Sequence, residues 1–218
     1  MVFNSLIFLI FYPIVLLLYR IIPLKWRWVM LLIASYYFYA GWQPDLIYLI
    51  WFSTLLSYLC AIGIEKAEKK NVKKFLLVVA LVASFAVLLF YKYFNFLSEN
   101  VVSLLNLIGF SVPDFSLNLI LPVGISFYTF QTLSYVIDVY RGSIKAERHL
   151  GYYALFVSFF PQLVAGPIER PENLLPQLKK KNPFTAYDTA VGLKMMMVGF
   201  FKKIVVADQI SKYVDAVY

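Results

Sequence analysis

The stretch FFPQLVAGPIERP, residues 159–171, interrupts an apolar run with prolines, a glycine and an adjacent Glu-Arg pair. Proline and glycine disfavour helix, and non-helical backbone survives at membrane depth only inside protein or beside a wet cavity. The stretch therefore predicts a segment that enters a membrane from the cytoplasmic side and turns back, or one that is buried within the protein. The alternative is an ordinary spanning helix with a proline-rich exit loop.

The composition is that of a membrane protein. The chain has 218 residues, of which 61% are hydrophobic, and a mean hydropathy of +0.74. Soluble domains are about half apolar, so this excess predicts an all-α polytopic membrane protein. The net charge of +8 is gathered between apolar runs, which suits cytoplasmic loops beside the lipid bilayer and disfavours a nucleic-acid partner. The single cysteine, Cys60, excludes a disulfide within the chain and a cysteine-based metal site.

Apolar runs of about 20 residues are long enough to cross the hydrocarbon core as helices. The four runs that reach that length are Phe3–Ile22, Leu46–Ile64, Phe75–Phe96 and Leu119–Tyr140. The run Leu150–Ile168 is borderline, and Trp28–Tyr39 and Val101–Phe110 are shorter. The last run, Ala190–Ala207, is interrupted by lysines. The run Val101–Phe110 is expected at the membrane surface. The sequence thus predicts transmembrane helices of unequal length, with re-entrant or broken segments, in one membrane domain over residues 1–218.

The charges of the loops orient these spans. Lysine and arginine are absent before Phe3, abundant in the loop Glu65–Lys74, and absent again from Ser98–Asn118. Because basic loops stay in the cytoplasm, the N-terminus is expected on the extracytoplasmic side. A crossing at Leu150–Ile168 would place the basic residues of the loop Glu169–Asn182 outside, against this pattern. The conflict favours a segment that turns back.

The helix within Leu119–Tyr140 carries a polar face. Its members, which recur at helical spacing, are Tyr128, Gln131, Tyr135 and Asp138. A polar stripe on a membrane helix faces the bundle interior or a cavity, because lipid cannot satisfy it. Gln131 is either a site residue or the donor of an interhelical hydrogen bond. Asp138 either serves the site or pairs with Arg141 in the next turn.

Other charged residues also have a functional and a structural interpretation. Glu169 and Arg170 follow the break, and they suit either an anionic ligand group or a loop anchored at the lipid headgroups. In GFFKKIVVAD, residues 199–208, the lysines favour headgroup contact, and Asp208 favours a cap or a pair with a lysine one turn away. The one histidine, His149, lies in a basic loop rather than in an apolar span, so neither a general base nor a histidine metal site is expected there.

Three stretches, taken together, resemble the membrane-bound O-acyltransferase family. They are LPVGISFYTFQTLSYVIDVYRG (residues 121–142), FFPQLVAGPIERP (159–171) and GFFKKIVVAD (199–208). The opening MVFNSLIFLIFYPIVLLLYR and the aromatic SYYFYAGWQP, residues 35–44, also fit the bacterial branch of the family that acetylates alginate. The likeness runs along essentially the whole chain.

The resemblance implies a fold and an activity. Members of the family have many helices of unequal length around a central tunnel. Enzymes of this branch pass acetyl groups from a cytoplasmic donor, here expected to be acetyl-CoA, across the bacterial inner membrane. The acetyl group reaches an extracytoplasmic polysaccharide such as alginate, often through periplasmic acetyltransferase partners, and no bound cofactor is implied. A non-catalytic membrane scaffold or a transporter subunit is the alternative.

The resemblance also implies a catalytic histidine that no segment of this sequence matches. In the family it lies in a later membrane segment, beyond the position of Tyr218, so no catalytic residue is assigned. The chain is expected to be the N-terminal half, inactive and unstable in detergent without a C-terminal half. Its expected contribution is tunnel wall and donor-side surface. The candidate residues are Gln131, Asp138, Arg141, Gln162, Glu169 and Arg170.

Overall fold

The computed structural model describes residues 3–110, 113, 116–117, 119–163, 166–180 and 185–217. Within these ranges the chain is helical apart from turns and irregular connections, as the sequence predicts. The helices are α1 (Leu6–Ile21), α2 (Leu24–Ala40), α3 (Ile47–Lys66), α4 (Lys70–Leu88), α5 (Phe94–Leu107), α6 (Ile125–Arg141), α7 (Leu150–Ser158), α8 (Phe160–Leu163), α9 (Pro171–Lys179), α10 (Ala186–Phe200) and α11 (Asp208–Val217). A 3₁₀ turn, Pro44–Leu46, precedes α3, and π-helical segments join α4 to α5 (Leu89–Tyr93) and α10 to α11 (Phe201–Ala207). Residues 164–165 of the predicted run Leu150–Ile168, and Lys181 of the basic loop, lie outside the described residues.

Helix α3 forms the centre of the bundle and packs against α2, α4, α6 and α7. Small residues on α3, among them Ser53, Ser57 and Ala61, are buried, and they allow neighbouring helices to approach closely. The main apolar core lies around this helix and joins Ile64 to Tyr135 of α6. The polar face predicted for α6 therefore points into the protein.

A second core joins α1, α2 and α8. Phe8, Phe38 and Phe160 are buried in it, and the ring centroids of Phe38 and Phe160 lie 5.6 Å apart. Helix α1 begins after Ser5, whose hydroxyl accepts a hydrogen bond from the backbone N–H of Phe8 at 3.2 Å, and it continues through Pro13. This core fixes α8 against the two N-terminal helices.

Helix α6 begins at Ile125, not at Leu119 as the sequence predicts. The residue before it, Gly124, has a φ of +74°, a left-handed conformation that a helix cannot pass through. Residues 119–123 are accordingly not helical. The helix ends at a second left-handed glycine, Gly142, with a φ of +77°.

The predicted run Phe75–Phe96 and the first seven residues of the run Val101–Phe110 belong to one continuous helix, Lys70–Leu107, of 38 residues. The sequence divides this helix because Ser98, Glu99 and Asn100 interrupt the apolar run, but the helix continues through them, with Glu99 and Asn100 exposed. The location of the second run at the membrane surface stays a prediction.

Two helices, Pro44–Lys66 and Lys70–Leu107, are long and apolar enough to cross a membrane by their length and composition. Two further apolar helices, Leu6–Ile21 and Leu150–Leu163, are shorter. Large apolar side chains also cover much of the outer surface, where Leu6 is 79% exposed. A surface of this kind is unfavourable in water, and it indicates a membrane protein.

The segment α10–α11, residues 186–217, lies at the surface. None of its described side chains is buried, although Met196 and Phe200 touch the second core. Lys203 pairs with Asp208, as predicted, and the two lie five residues apart, the spacing of a π-helical turn.

Candidate functional site

The segment from α7 to α9 forms a hairpin along the length of α6. At its start, the backbone N–H of Glu147 donates to the Tyr135 hydroxyl at 2.8 Å. Helix α8 ends at the opposite end of α6, where a Cβ added to Gly124 would lie 2.5 Å from the carbonyl oxygen of Leu163. Lys179 of α9 then pairs with Glu147. The chain thus returns to the end of α6 from which it departed.

The hairpin is broken at Phe159, between α7 and α8. Pro161 has no backbone N–H to donate to the Val157 carbonyl, and its ring would clash with that carbonyl in a continuous helix, so Phe159 leaves the helical conformation with a ψ of 112°. The backbone N–H of Phe160, which would continue α7, donates instead to the Ser35 hydroxyl of α2 at 3.2 Å. As a result, the carbonyl group of Phe156 near the end of α7 loses its helical partner.

Two buried glutamines replace that partner. The Nε2 atoms of Gln131 and Gln162 each lie 2.8 Å from the carbonyl oxygen of Phe156. The residues are 3% and 6% exposed, and an unpaired carbonyl in such a place costs about 1–3 kcal/mol. Both glutamines are predicted site residues, and they share one acceptor. The bond from Gln131 to α7 is also the interhelical hydrogen bond that the sequence offered as the alternative.

Three of the stretches that carry the family resemblance meet at the end of the hairpin. The side-chain amide of Gln43, from SYYFYAGWQP, accepts from the backbone N–H of Val123 at 2.9 Å and donates to the carbonyl of Leu121 at 3.1 Å. One amide therefore holds the residues that precede α6. The next residue, Gly124, contacts Leu163 of the third stretch. This convergence of segments distant in sequence makes the hairpin the candidate site.

Buried polar atoms without a hydrogen-bond partner lie on helices around the hairpin. Among the described residues they include the hydroxyls of Tyr39, Thr54 and Tyr128 and the Oε1 atom of Gln162. These atoms belong to α2, α3, α6 and α8, and the Tyr128 hydroxyl lies within electrostatic range of the Tyr39 hydroxyl. Each costs about 1–3 kcal/mol unless water or another polar group satisfies it. The interior around the hairpin is therefore suited to small polar groups.

Ion pairs close the other end of the hairpin. The buried Glu147 pairs with Lys179, and its Oε1 atom accepts from the backbone N–H of His149 at 3.0 Å. Arg148 pairs with Glu65 at the end of α3, at 2.6 Å. The pair of Glu147 and Lys179, which are 32 residues apart, is not predicted by the sequence pattern. The one available signal was an acidic residue within a basic loop.

His149 caps α7 and stays outside the interior of the hairpin. Its Nδ1 atom accepts from the backbone N–H groups of Gly151 and Tyr152, at 3.1 and 3.3 Å. Its ring packs edge-on against Trp28, with a centroid distance of 4.8 Å. These contacts give the exposed histidine a structural role at the start of α7. The expectation that it is not a general base stays a prediction.

The other predicted site residues do not join the glutamines. Asp138 is half-buried and Arg141 is exposed, and these two described residues form no ion pair, so the alternative pairing is wrong. Arg141 is the last residue of α6 and lies in solvent, where an ion pair gains little. Glu169 and Arg170 lie in the connection before α9, and neither side chain contributes to the ion pairs within the described ranges. The anion-binding role of this pair stays a prediction.

The arrangement offers hydrogen bonding and positioning. In the part of the chain that the structure describes, no three His, Cys, Asp or Glu side chains come together as metal ligands. Of the acidic groups near the hairpin, Glu147 and Glu65 are held in ion pairs at its base. Among the described residues, the polar groups in its interior include the amides of Gln131 and Gln162 and the Phe156 carbonyl.

The chain is similar to bacterial O-acetyltransferases along nearly its whole length. It is 37% identical over 218 residues to the Probable alginate O-acetylase AlgI of Azotobacter vinelandii, covering 99% of this chain and 43% of that protein. It is 35% identical over 211 residues to the peptidoglycan O-acetyltransferase of Helicobacter pylori, covering 85% of this chain and 39% of that protein. With the teichoic acid D-alanyltransferase of Bacillus subtilis it shares 28% identity over 98 residues, 44% of this chain and 25% of that protein.

The chain spans less than half the length of these relatives. No family model matches it, and no solved structure matches it. The alignment with the Azotobacter vinelandii protein covers 99% of the chain, so the hairpin, Gln131 and Gln162 lie within the aligned part.

Proposed function

Because this chain belongs to the membrane-bound O-acyltransferase family, we propose that it forms part of an O-acetyltransferase for an extracytoplasmic polysaccharide such as alginate. Acetyl groups leave a cytoplasmic donor, acetyl-CoA, cross the membrane within the protein and pass to the polysaccharide through periplasmic acetyltransferase partners. The observation that carries the proposal is the likeness to two named O-acetyltransferases over at least 85% of the chain.

The proposed course in the membrane follows the basic loops. Residues 1–218 form one multi-pass domain of the bacterial inner membrane, with the N-terminus on the extracytoplasmic side. Helix α7 enters from the cytoplasm, α8 lies deep in the protein, and α9 returns to the cytoplasmic surface. The pair of Glu147 and Lys179 supports this course, and so does the pair that joins Arg148 to Glu65 beside a loop with five lysines.

In this proposal the residues of the hairpin position the acetyl group and do not remove a proton. The general base is the histidine that the family resemblance implies, beyond Tyr218, in a C-terminal half. Gln131 and Gln162 hold the broken helix in place through the Phe156 carbonyl. The Tyr128 hydroxyl, which has no protein partner, donates a hydrogen bond to the acetyl carbonyl as it passes.

The charged candidates serve the donor side of the same passage. Arg141 and Arg170 are exposed, and guanidinium groups suit the phosphates of acetyl-CoA because they form two parallel hydrogen bonds. Asp138 and Glu169 are half-buried near them in sequence and belong to the same donor-side surface.

An acetyl-transfer assay in membranes tests the proposal. Radiolabelled acetyl-CoA and the surface polysaccharide of the host are supplied to membranes that contain this chain alone, or this chain with its downstream coding sequence. Label in the polysaccharide only with the extension supports the proposal. Label with the 218 residues alone would make His149 the base. No label in either preparation would favour the scaffold or transporter alternative.

The Tyr128→Phe substitution tests the proposed role of the hydroxyl. Because this hydroxyl is buried without a protein partner, its removal leaves thermal stability unchanged or raised. Transfer is expected to fall about tenfold, the effect of one hydrogen bond of ordinary strength. Tyr213→Phe, at a residue that is 76% exposed, is the control and leaves both unchanged. Full transfer by Tyr128→Phe would contradict the role.

A further inference from the structure

An open apolar groove runs between α1 and α2. Its volume is about 710 Å³, and its lining is aliphatic and aromatic, with Ile10, Ile14 and Leu18 on one wall and Trp26 and Ile33 on the other. These side chains are far from buried; Ile14 is 50% exposed and Ile33 is 64% exposed. The described residues therefore leave the groove uncovered.

The groove has the length of a lipid chain. Its lining on α1 runs from Ile7 to Ile22, which at the rise of a helix is about 22 Å. One leaflet of a bilayer core is about 15 Å thick. At the Ile7 end the rings of Phe11 and Tyr37 stack with a centroid distance of 5.9 Å and narrow the groove. An acyl chain that starts at the Ile22 end fits within it.

The Ile22 end of the groove is basic. Lys25 and Arg27 lie in the first turns of α2, just after Ile22, whereas Arg20 of α1 lines a separate pocket with Asp188 of α10. The Arg27 side chain is held in place, because its Nε atom donates to the carbonyl of Ile22 at 3.0 Å. Among the described residues, none that lines the groove is acidic. The end of the groove therefore complements a negatively charged headgroup.

From these observations we propose that the groove binds one acyl chain of an anionic phospholipid. The phosphate of the lipid lies against Lys25 and Arg27, and the chain lies along Ile14 and Leu18. The lipid clamps α1 to α2 and thereby supports the second core, in which α8 is held. This binding is independent of acetyl transfer.

Native mass spectrometry with defined lipids tests the proposal. The purified protein is mixed with equal amounts of phosphatidylglycerol and phosphatidylcholine that have the same acyl chains. Phosphatidylglycerol adducts are expected in excess by at least about fivefold, the effect of one basic residue near an anionic headgroup. Lys25→Gln is expected to reduce this preference about fivefold, whereas Lys69→Gln, at another exposed lysine, leaves it unchanged.

A second pair of variants tests the groove itself. Ile14→Trp fills the groove and is expected to abolish the phosphatidylglycerol adduct. Leu9→Trp is the matched control, because the exposed fraction of Leu9, 52%, is close to the 50% of Ile14, yet Leu9 does not line the groove. Equal adducts with both lipids, or equal effects of the two tryptophans, would overturn the proposal. A third outcome would also overturn the proposal: the wild type shows no lipid adduct, and the Ile14→Trp variant fails to fold. That result would mean that a protein segment, and not a lipid, fills the groove.

Discussion

The hairpin α7–α9 and the segment α10–α11 both contain stretches that resemble the acyltransferase family, yet only the hairpin is packed into the protein. Tyr153 and Phe156 of the hairpin are fully buried, whereas no described residue of 186–217 is buried. Both segments begin with an apolar helix, α7 in the hairpin and α10 in the other. They differ in their polar contacts, because the hairpin bonds to Ser35 of α2 and Gln131 of α6, while Asp208 finds Lys203 in its own segment.

The comparison separates two physical effects. Apolar side chains make a segment favourable in a membrane without fixing where it sits, since lipid and protein interior are similarly apolar. Hydrogen bonds from other helices fix the position, because a buried polar group has few places where it is satisfied. Breaking those bonds is therefore expected to release the hairpin, while changes in α10–α11 are expected to have small effects.

The largest effect is expected from Gly124→Ala, at the far end of the hairpin. The new Cβ would lie 2.5 Å from the Leu163 carbonyl oxygen, in addition to the cost of a φ of +74°. The two effects together lower the free energy of unfolding by about 3 kcal/mol. Thermal unfolding in detergent measures it. Gly142→Ala is the control, because its φ is +77° with no atom within 4 Å, and it loses only about 1 kcal/mol. Equal losses of unfolding free energy in the two variants would mean that the contact with Leu163 does not contribute to stability.

The next effect concerns the two glutamines, and a double-mutant cycle measures it. Gln131→Met or Gln162→Met alone leaves the Phe156 carbonyl with one donor and costs about 1 kcal/mol. The double variant leaves a buried carbonyl unpaired, so its loss exceeds the sum of the single losses by about 1 kcal/mol or more. Gln209→Met, at an exposed residue of α11, is neutral. Strict additivity would show that the shared carbonyl does not couple the glutamines.

A smaller and more local effect is expected from Lys179→Met. The substitution leaves the buried Glu147 without its cation, so α9 is expected to detach from the base of the hairpin. Hydrogen exchange of the backbone amides of α9 then accelerates at least about tenfold, while exchange in α3 stays unchanged. Lys180→Met removes a neighbouring exposed charge and is the control. Unchanged exchange in α9 would mean that apolar packing alone holds this helix.

The smallest effect is expected from the helix cap at His149. His149→Asn retains a cap and is expected to be stable within about 0.5 kcal/mol, whereas His149→Ala loses about 1 kcal/mol. Acetyl transfer by the complete enzyme is expected to be normal in both variants. Loss of acetyl transfer in the stable asparagine variant would mean that His149 is the general base and does not serve only as a helix cap.

The sequence predicted the helical composition and the inward polar face of α6, since periodicity and composition determine both. It misplaced the start of α6, because the left-handed conformation of Gly124 depends on its contact with Leu163. It also divided the helix Lys70–Leu107, because Ser98, Glu99 and Asn100 interrupt the apolar run there without ending the helix. Errors of this kind arise where the backbone and its tertiary contacts, and not the apolar pattern, decide a boundary.

The candidate site was predictable only in part. Gln131 and Gln162 stood out because amides are rare in apolar segments, but their acceptor is a backbone carbonyl, which no side-chain pattern identifies. The pair of Glu147 and Lys179 depends on the return of the chain, so its two members belong together only once the hairpin exists.

The return of the chain is the central claim, and cysteine labelling from the two sides of the membrane tests it most directly. The native Cys60 is buried and is replaced by alanine as the background. Lys145 and Lys180 are exposed and line one cavity at the base of the hairpin, so Lys145→Cys and Lys180→Cys mark its start and its end. A membrane-impermeant maleimide is expected to label both variants from the same side. Labelling from opposite sides would mean that α7 and α8 cross the membrane, and would contradict the hairpin.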